Sequence, residues 1–252
     1  MISLKTKDFE LSNIETVLFD KDGTFIDLHY FWGKMTEMRI EEVICQFSLG
    51  QEIFQKLCLC LGYDVATGKM LADGITAMYS RSKIVEIFRQ DLQKFGVNTT
   101  EEKLLEIFDK VNAIFYKDMQ KYTKPIDSAI DFVKKVREKG CKTGVVTSDS
   151  KESTLLTLKQ FGWESFFDVV VGRECSKHTK ESGALTNIAL SQLCANPKTT
   201  VMVGDAPMDY ISAKNAAVEK VLLVATGQIG LSELAKITEC VVDNLSSIEV
   251  KF

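Results

Sequence analysis

Two aspartates one residue apart, Asp20 and Asp22, open the segment Asp20-Lys21-Asp22-Gly23-Thr24. One carboxylate of such a pair can attack phosphorus while its neighbour protonates the leaving oxygen and later deprotonates water. Gly23 allows the backbone to turn away sharply and expose amide donors. A calcium loop can begin the same way. With Asp20 in first place, however, the sixth position would be Phe25 instead of glycine and the twelfth Phe31 instead of glutamate, so that reading fails. A second pair of acids, four apart, stands in Gly204-Asp205-Ala206-Pro207-Met208-Asp209. Asp205 can join Asp20 around Mg²⁺, a hard cation that wants oxygen ligands. Asp209 either supports that metal from its second shell or caps the next helix. A third stretch, Val145-Val146-Thr147-Ser148, offers hydroxyls and amides that suit a phosphate group, or equally a helix cap at Ser148, Asp149 or Ser150.

Each of these segments ends a short, mostly apolar run: Ile14 to Phe19, Lys142 to Thr147, and Thr200 to Gly204. Two more such runs lie at Phe167 to Gly172 and Val221 to Ala225. Runs of this kind suit strands buried on both faces, as in a parallel sheet. Helical stripes separate them, such as Ile126, Ala129, Ile130, Val133 and Val136 after Pro125, and Leu185, Ile188, Ala189 and Leu193 before Pro197. The alternation predicts an α/β fold whose active crevice lies beyond the carboxyl ends of the strands.

Residues 29–121 read differently. Leu104, Ile107, Phe108, Val111 and Phe115 share one helix face, with a capping box expected at Thr99 and Glu102. Ile84, Ile87, Phe88 and Phe95 form another stripe, Met35 to Phe47 and Ile53 to Leu61 look helical, and no strand is expected. The expected organisation is therefore an α/β core of residues 1–28 and 122–252, with 29–121 inserted as a helical cap domain.

Composition narrows the function. The 252 residues are 45% hydrophobic with a net charge of -4, which argues against wholesale disorder. There is no basic excess or basic run, so no nucleic-acid binding is expected. No apolar stretch approaches the ~20 residues needed to span a bilayer, so no membrane association is expected. The start, Met1-Ile2-Ser3-Leu4-Lys5, lacks the features of a signal peptide, and a cytoplasmic location is expected. The seven scattered cysteines read as reduced thiols, and two histidines, His29 and His178, cannot build a His-rich metal centre. The oligomeric state is left open.

Together the three strand tips resemble the haloacid dehalogenase superfamily of phosphohydrolases, whose first motif is D-x-D-G-T/V and whose last is G-D-x-x-x-D. The resemblance spans roughly residues 10–28 and 122–230 in the right order, and the helical insert matches the small type C1 cap of phosphoglycolate phosphatase-like members. It implies a Rossmann-like parallel sheet of order 5-4-1-2-3 with the cap over its carboxyl edge. It implies Asp20 as nucleophile, Asp22 as general acid/base, and Thr147 with Ser148 as phosphate-binding groups. Mg²⁺ would be held by Asp20, the Asp22 carbonyl and Asp205, with Asp209 behind. The motif lysine departs from the common Lys-Pro-x-Pro text. Here the stretch is Cys175-Ser176-Lys177-His178-Thr179-Lys180, and spacing to Ala189, Leu193 and Pro197 favours Lys180 over Lys177. Lys21 is unusual between the two acids, a place that is commonly apolar.

The expected reaction is Mg²⁺-dependent hydrolysis of a small phosphorylated metabolite through an aspartyl-phosphate on Asp20. A phosphoglucomutase-like phosphoryl transfer uses the same residues, and a non-catalytic binding protein that kept the fold is the remaining alternative. Substrate choice is expected in the cap, where Asp27 to Trp32 brings aromatic rings and His29, and where Arg81 can reach a second anionic group.

Overall fold

The computed structural model describes all 252 residues, which divide into two compact units: residues 1–27 with 124–252, and residues 28–123. The first unit is built on six parallel strands. They are β1 (Thr16–Phe19), β2 (Lys142–Val146), β3 (Val169–Val171), β4 (Thr200–Gly204), β5 (Lys220–Val224) and β6 (Val241–Val242). Their order is β6-β5-β4-β1-β2-β3, the expected 5-4-1-2-3 sheet extended by one edge strand. Every residue of β1 and β4 is buried, as strands covered on both faces must be. Thr16 of β1 faces Lys142 on one side and Thr200 on the other, so the central strand has neighbours distant in sequence.

Helices Asp127–Glu138, Lys151–Phe161, Ala184–Gln192 and Pro207–Asn215 connect these strands. Their apolar faces pack on the strand residues; Leu185, Ala189 and Leu193, for example, join Leu18 and Met202 in one core. A separate antiparallel sheet of Ile2–Lys5, Glu10–Ile14 and Glu249–Lys251 was not expected from the sequence. Its strands are short and half exposed, and the outer partner comes from the far end of the chain.

The second unit is mainly helical, with long helices Leu28–Phe47, Arg81–Lys94 and Glu101–Lys117 around a core that includes Ile40, Phe88 and Phe108. Three sequence expectations are corrected here. A ribbon of Tyr63–Asp64 and Lys69–Met70 does form, but strands of two residues are too short to show alternation. The cap of the last long helix is Thr100, whose hydroxyl accepts from the Lys103 amide, one residue beyond the expected Thr99. The helix read from Met35 already begins at Leu28. Gly33 and the aromatics around it lower helix propensity and hide that start. Gly33 is required because a Cβ there would lie 2.6 Å from the Tyr63 ring.

The chain leaves the first unit and rejoins it at one place. Ile26 bridges Pro125, the Asp27 amide donates to the Lys124 carbonyl at 2.8 Å, and the Ile126 amide donates to the Phe25 carbonyl at 3.0 Å. No helix is long and apolar enough to cross a membrane.

Candidate active site

β1 runs apolar to Phe19 and then presents Asp20, whose amide donates to the Val203 carbonyl at 2.9 Å and so extends the ladder to β4. The chain then turns on itself. The amides of Phe25 and Ile26 donate to the Lys21 carbonyl, and Gly23 adopts φ 84°, a left-handed conformation that favours glycine. Space also demands glycine, because a Cβ at Gly23 would lie 2.2 Å from Asp205 Oδ2. The buried Phe25 ring anchors the turn, stacked on Phe167 at 5.3 Å.

Asp205 follows the tip of β4, with its Oδ1 accepting from the Thr24 hydroxyl at 3.2 Å. Asp209 lies one helical turn on. Its Oδ2 accepts from the Ala206 amide at 3.0 Å, which caps the helix, while its Oδ1 lies 2.5 Å from the Lys180 ammonium. The capping reading of Asp209 is met by the Ala206 contact. Lys180 also donates to Asp20 Oδ1 at 2.6 Å, whereas Lys177 is exposed. The Lys180 loop keeps its shape without the usual prolines. Gly183 packs so closely on the Asn215 and Ala216 backbone that a Cβ would come within 2.8 Å, and the Asn215 side-chain amide donates to the Glu181 carbonyl at 2.6 Å.

Carboxylate oxygens of Asp20, Asp205 and Asp209 lie within 4.8 Å of one another, and all three residues are buried. Burial, reinforced by the negative charges of Asp20 and Asp209, holds the Asp205 carboxyl well above the usual carboxylate range. Burial likewise raises Asp209 to about 6 against the opposing pull of Lys180. Burial alone would lower the Lys180 ammonium, but Asp20 and Asp209 outweigh it and push the pKa up, so this lysine is a fixed cation. An oxygen-only donor set with crowded, costly negative charge fits a hard divalent cation such as Mg²⁺.

At the tip of β2 the buried Thr147 amide donates to the Val171 carbonyl, and its hydroxyl accepts from the Asp149 amide at 3.0 Å. The exposed Ser148 hydroxyl lies 3.3 Å from the Met208 sulfur. The helix that follows is capped by Ser150, whose hydroxyl accepts from the Ser153 amide at 3.1 Å. That choice among the three cap candidates leaves Thr147 and Ser148 outside the helix.

His29 and Arg81 belong to the helical unit and have partners within it. His29 Nδ1 accepts from the Met70 amide at 3.1 Å, which ties the first long helix to the two-stranded ribbon. Arg81 pairs with Asp109 at 2.6 Å.

Three site residues escaped the sequence reading. The loop after β5 brings Thr226, whose hydroxyl donates to the Gly23 carbonyl at 2.6 Å, and Gly227, where a Cβ would lie 1.7 Å from Asp205 Oδ2. A small-residue pair directly after a buried strand was the available signal. Asp149 is the third. Its Oδ2 lies 3.0 Å from the Lys21 ammonium, which also meets Asp22 Oδ1 at 2.7 Å. Burial raises Asp22 to about 6, partly opposed by Lys21. Asp149 ends below the usual carboxylate range: burial works to raise it, but Lys21 and the Ser150 amide prevail.

The six-stranded parallel sheet with its flanking helices is a fold shared with known proteins. Residues 69–223 match the family described as haloacid dehalogenase-like hydrolase. The chain belongs to that family and is an enzyme of its phosphatase class. Among curated proteins, "Pyrophosphatase PpaX" of Halalkalibacterium halodurans is 27% identical over 206 residues, covering 82% of this chain and 81% of that one. The solved structure described as a predicted phosphoglycolate phosphatase from Haemophilus somnus superposes with a TM-score of 0.71 at 14% identity, covering 94% and 96% of the two chains. A HAD-superfamily hydrolase of subfamily IA from Geobacter sulfurreducens superposes with a TM-score of 0.64 at 16% identity, covering 93% and 94%. At these identities the two structural likenesses show the fold.

Proposed function

We propose that this chain is a Mg²⁺-dependent phosphatase that hydrolyses a small phosphorylated metabolite through an aspartyl-phosphate on Asp20. The carrying observation is the placement of Asp20: a buried carboxylate at the tip of the central strand, 2.6 Å from the Lys180 ammonium and beside Asp205 and Asp209. An Asp20 oxygen attacks phosphorus as the bond to the leaving oxygen breaks, and Asp22 gives that oxygen its proton. In the second half Asp22 takes a proton from water, and the water oxygen attacks phosphorus. The bond to Asp20 then breaks, releasing inorganic phosphate and restoring the carboxylate. Lys180 offsets the repulsion between Asp20 and the incoming phosphoryl oxygens, and the Thr147 hydroxyl with the Ser148 region binds those oxygens. Asp20, Asp205 and the Asp22 carbonyl would hold Mg²⁺, with Asp209 behind them. When bound, the ion supplies positive charge against the transferring phosphoryl group. The inserted helical unit is the place for substrate selection.

Relatives named as pyrophosphatases make pyrophosphate the first substrate to assay, followed by phosphoglycolate and a panel of phosphorylated metabolites. Seven free cysteines support a reducing, cytoplasmic setting. Chelator-sensitive release of inorganic phosphate from one member of the panel is the expected result. Chelator-resistant hydrolysis, or no hydrolysis of any member, overturns the proposal.

Metal should be legible in stability as well as in turnover. Asp205 and Asp209 have folded pKa values raised above those of the unfolded chain. Their contribution to stability is therefore full below the unfolded carboxylate range and is lost as pH rises through the folded values. Above that window a divalent cation relieves the most repulsion. Mg²⁺ at about 100 times its Kd adds about 2.7 kcal/mol. That corresponds to a Tm rise of roughly 5–10 °C for a chain of this size. The rise should be larger at about pH 8 than at about pH 5. Differential scanning fluorimetry at both pH values checks this; an equal or absent shift counts against the metal site.

Gly227 offers a steric test. In Gly227→Ala the new methyl group must displace the Asp205 carboxylate or the loop that bears it. Turnover should fall roughly 10- to 100-fold from misplacement of that acid. The apparent Mg²⁺ requirement should rise in parallel. Unchanged kinetics would mean that Asp205 takes no part.

A further inference from the structure

The residue between the two aspartates is a lysine whose side chain has no exposed surface. A buried ammonium is costly unless it is paired, and Lys21 is paired twice, with Asp22 Oδ1 at 2.7 Å and Asp149 Oδ2 at 3.0 Å. The two contacts are not equivalent. Asp149 is fixed independently of Lys21. Its amide donates to Thr147 Oγ1 at 3.0 Å, its Oδ1 accepts from the Ser150 amide at 2.7 Å, and its carbonyl accepts from the Arg173 amide at 3.0 Å. For the Asp22 carboxylate, Lys21 is the hydrogen-bond donor the structure shows. The ammonium therefore links a rigid anchor at the tip of β2 to a side chain on the β1 turn that has no comparable support.

We propose that Lys21 is a positioning residue. Anchored by Asp149, it holds the Asp22 carboxylate in the one orientation from which it can exchange a proton with the leaving oxygen and with water. This deepens the hydrolytic reading above and rests on it for the role of Asp22. Without the ammonium, Asp22 and Asp149 would be two buried carboxylates facing each other, and repulsion would turn Asp22, the less tethered of the two, away.

The test separates positioning from bulk stability. Lys21→Met keeps most of the length of the side chain and removes its charge, so it should lower both Tm and turnover. Adding Asp149→Asn removes the orphaned buried carboxylate, and Tm should recover most of its loss. Turnover of an alkyl phosphate such as β-glycerophosphate should stay depressed roughly 100-fold in the double variant, the loss expected of a misplacement on the order of 1 Å. Turnover of p-nitrophenyl phosphate, whose leaving group needs no proton, should fall at least about tenfold less than that of the alkyl ester, because only water activation is impaired for it. In an Asp22→Asn background, Lys21→Met with Asp149→Asn should change that ratio no further, because the groups act as one unit. Recovery of alkyl-phosphate turnover together with Tm would overturn the proposal and leave Lys21 a structural filler. A crystal structure of the double variant supplies a readout independent of activity, in which Asp22 should be rotated or split between rotamers. If Asp22 is unmoved, positioning is overturned whatever the kinetics. If Asp22 has moved but the unmodified protein hydrolyses no phosphate ester, positioning stands and the hydrolytic reading fails.

Discussion

Asp20→Asn protein should fold, melt close to the unmodified chain, and hydrolyse no phosphate ester above background. The substitution removes the carboxylate's charge but almost none of its volume. The amide that replaces the carboxylate still offers an oxygen to Lys180, which also retains Asp209 at 2.5 Å. The ladder contact to Val203 uses the backbone amide and is untouched. On the proposed mechanism, loss of the Asp20 carboxylate should cost roughly 10⁴-fold or more in kcat, with little recovery at high substrate, because the missing interaction belongs to the transition state. Steady-state kinetics with a thermal melt on the same sample decides the matter. A variant within an order of magnitude of the unmodified activity would mean that Asp20 only binds metal and that water attacks directly.

Asp22→Asn should instead discriminate among substrates. Esters with poor leaving groups need a proton as the bond breaks, so alkyl phosphates should slow by roughly 10²- to 10⁴-fold. Activated aryl esters leave as stable anions and should lose far less in the first step. Water activation in the second step suffers for both, which makes the ratio of the two losses the informative quantity. The substituted side chain keeps an oxygen that can accept from Lys21, so the turn should keep its shape. An equal loss on both substrate types, measured as kcat/KM across a leaving-group series, would remove the acid role from Asp22.

The sheet was legible because parallel strands buried on both faces must read as short apolar runs, and those ending at Phe19, Val146 and Gly204 do so. The acids were legible for the same reason, since a charged residue directly after such a run stands at a strand tip. What stayed hidden depends on partners from far away in the chain. The outer strand Glu249–Lys251 pairs with Ser3 to Lys5, and no local pattern announces that. Lys21 stood out as unusual but had no explanation in its own neighbourhood, because only the approach of β2 to β1 brings Asp149 to it. Thr226 and Gly227 lie in a loop whose residues carry no titratable group, so spacing arguments passed over them.

The single junction at Asp27 and Lys124 has a kinetic consequence. Pairing β1 with β2 would ordinarily mean closing a loop of well over a hundred residues, the kind of long-range contact that slows folding. The residues between form a compact unit of their own, and the two residues that flank it, Asp27 and Lys124, are hydrogen-bonded to each other. Once that unit has collapsed, the chain still to be ordered between β1 and β2 is only the β1 turn and the helix Asp127–Glu138 with its flanks. The strands that carry the candidate site should then fold as though they were near neighbours. Helical sequence added or exchanged between residues 28 and 123 should therefore leave their register unchanged, at little cost to assembly of the sheet.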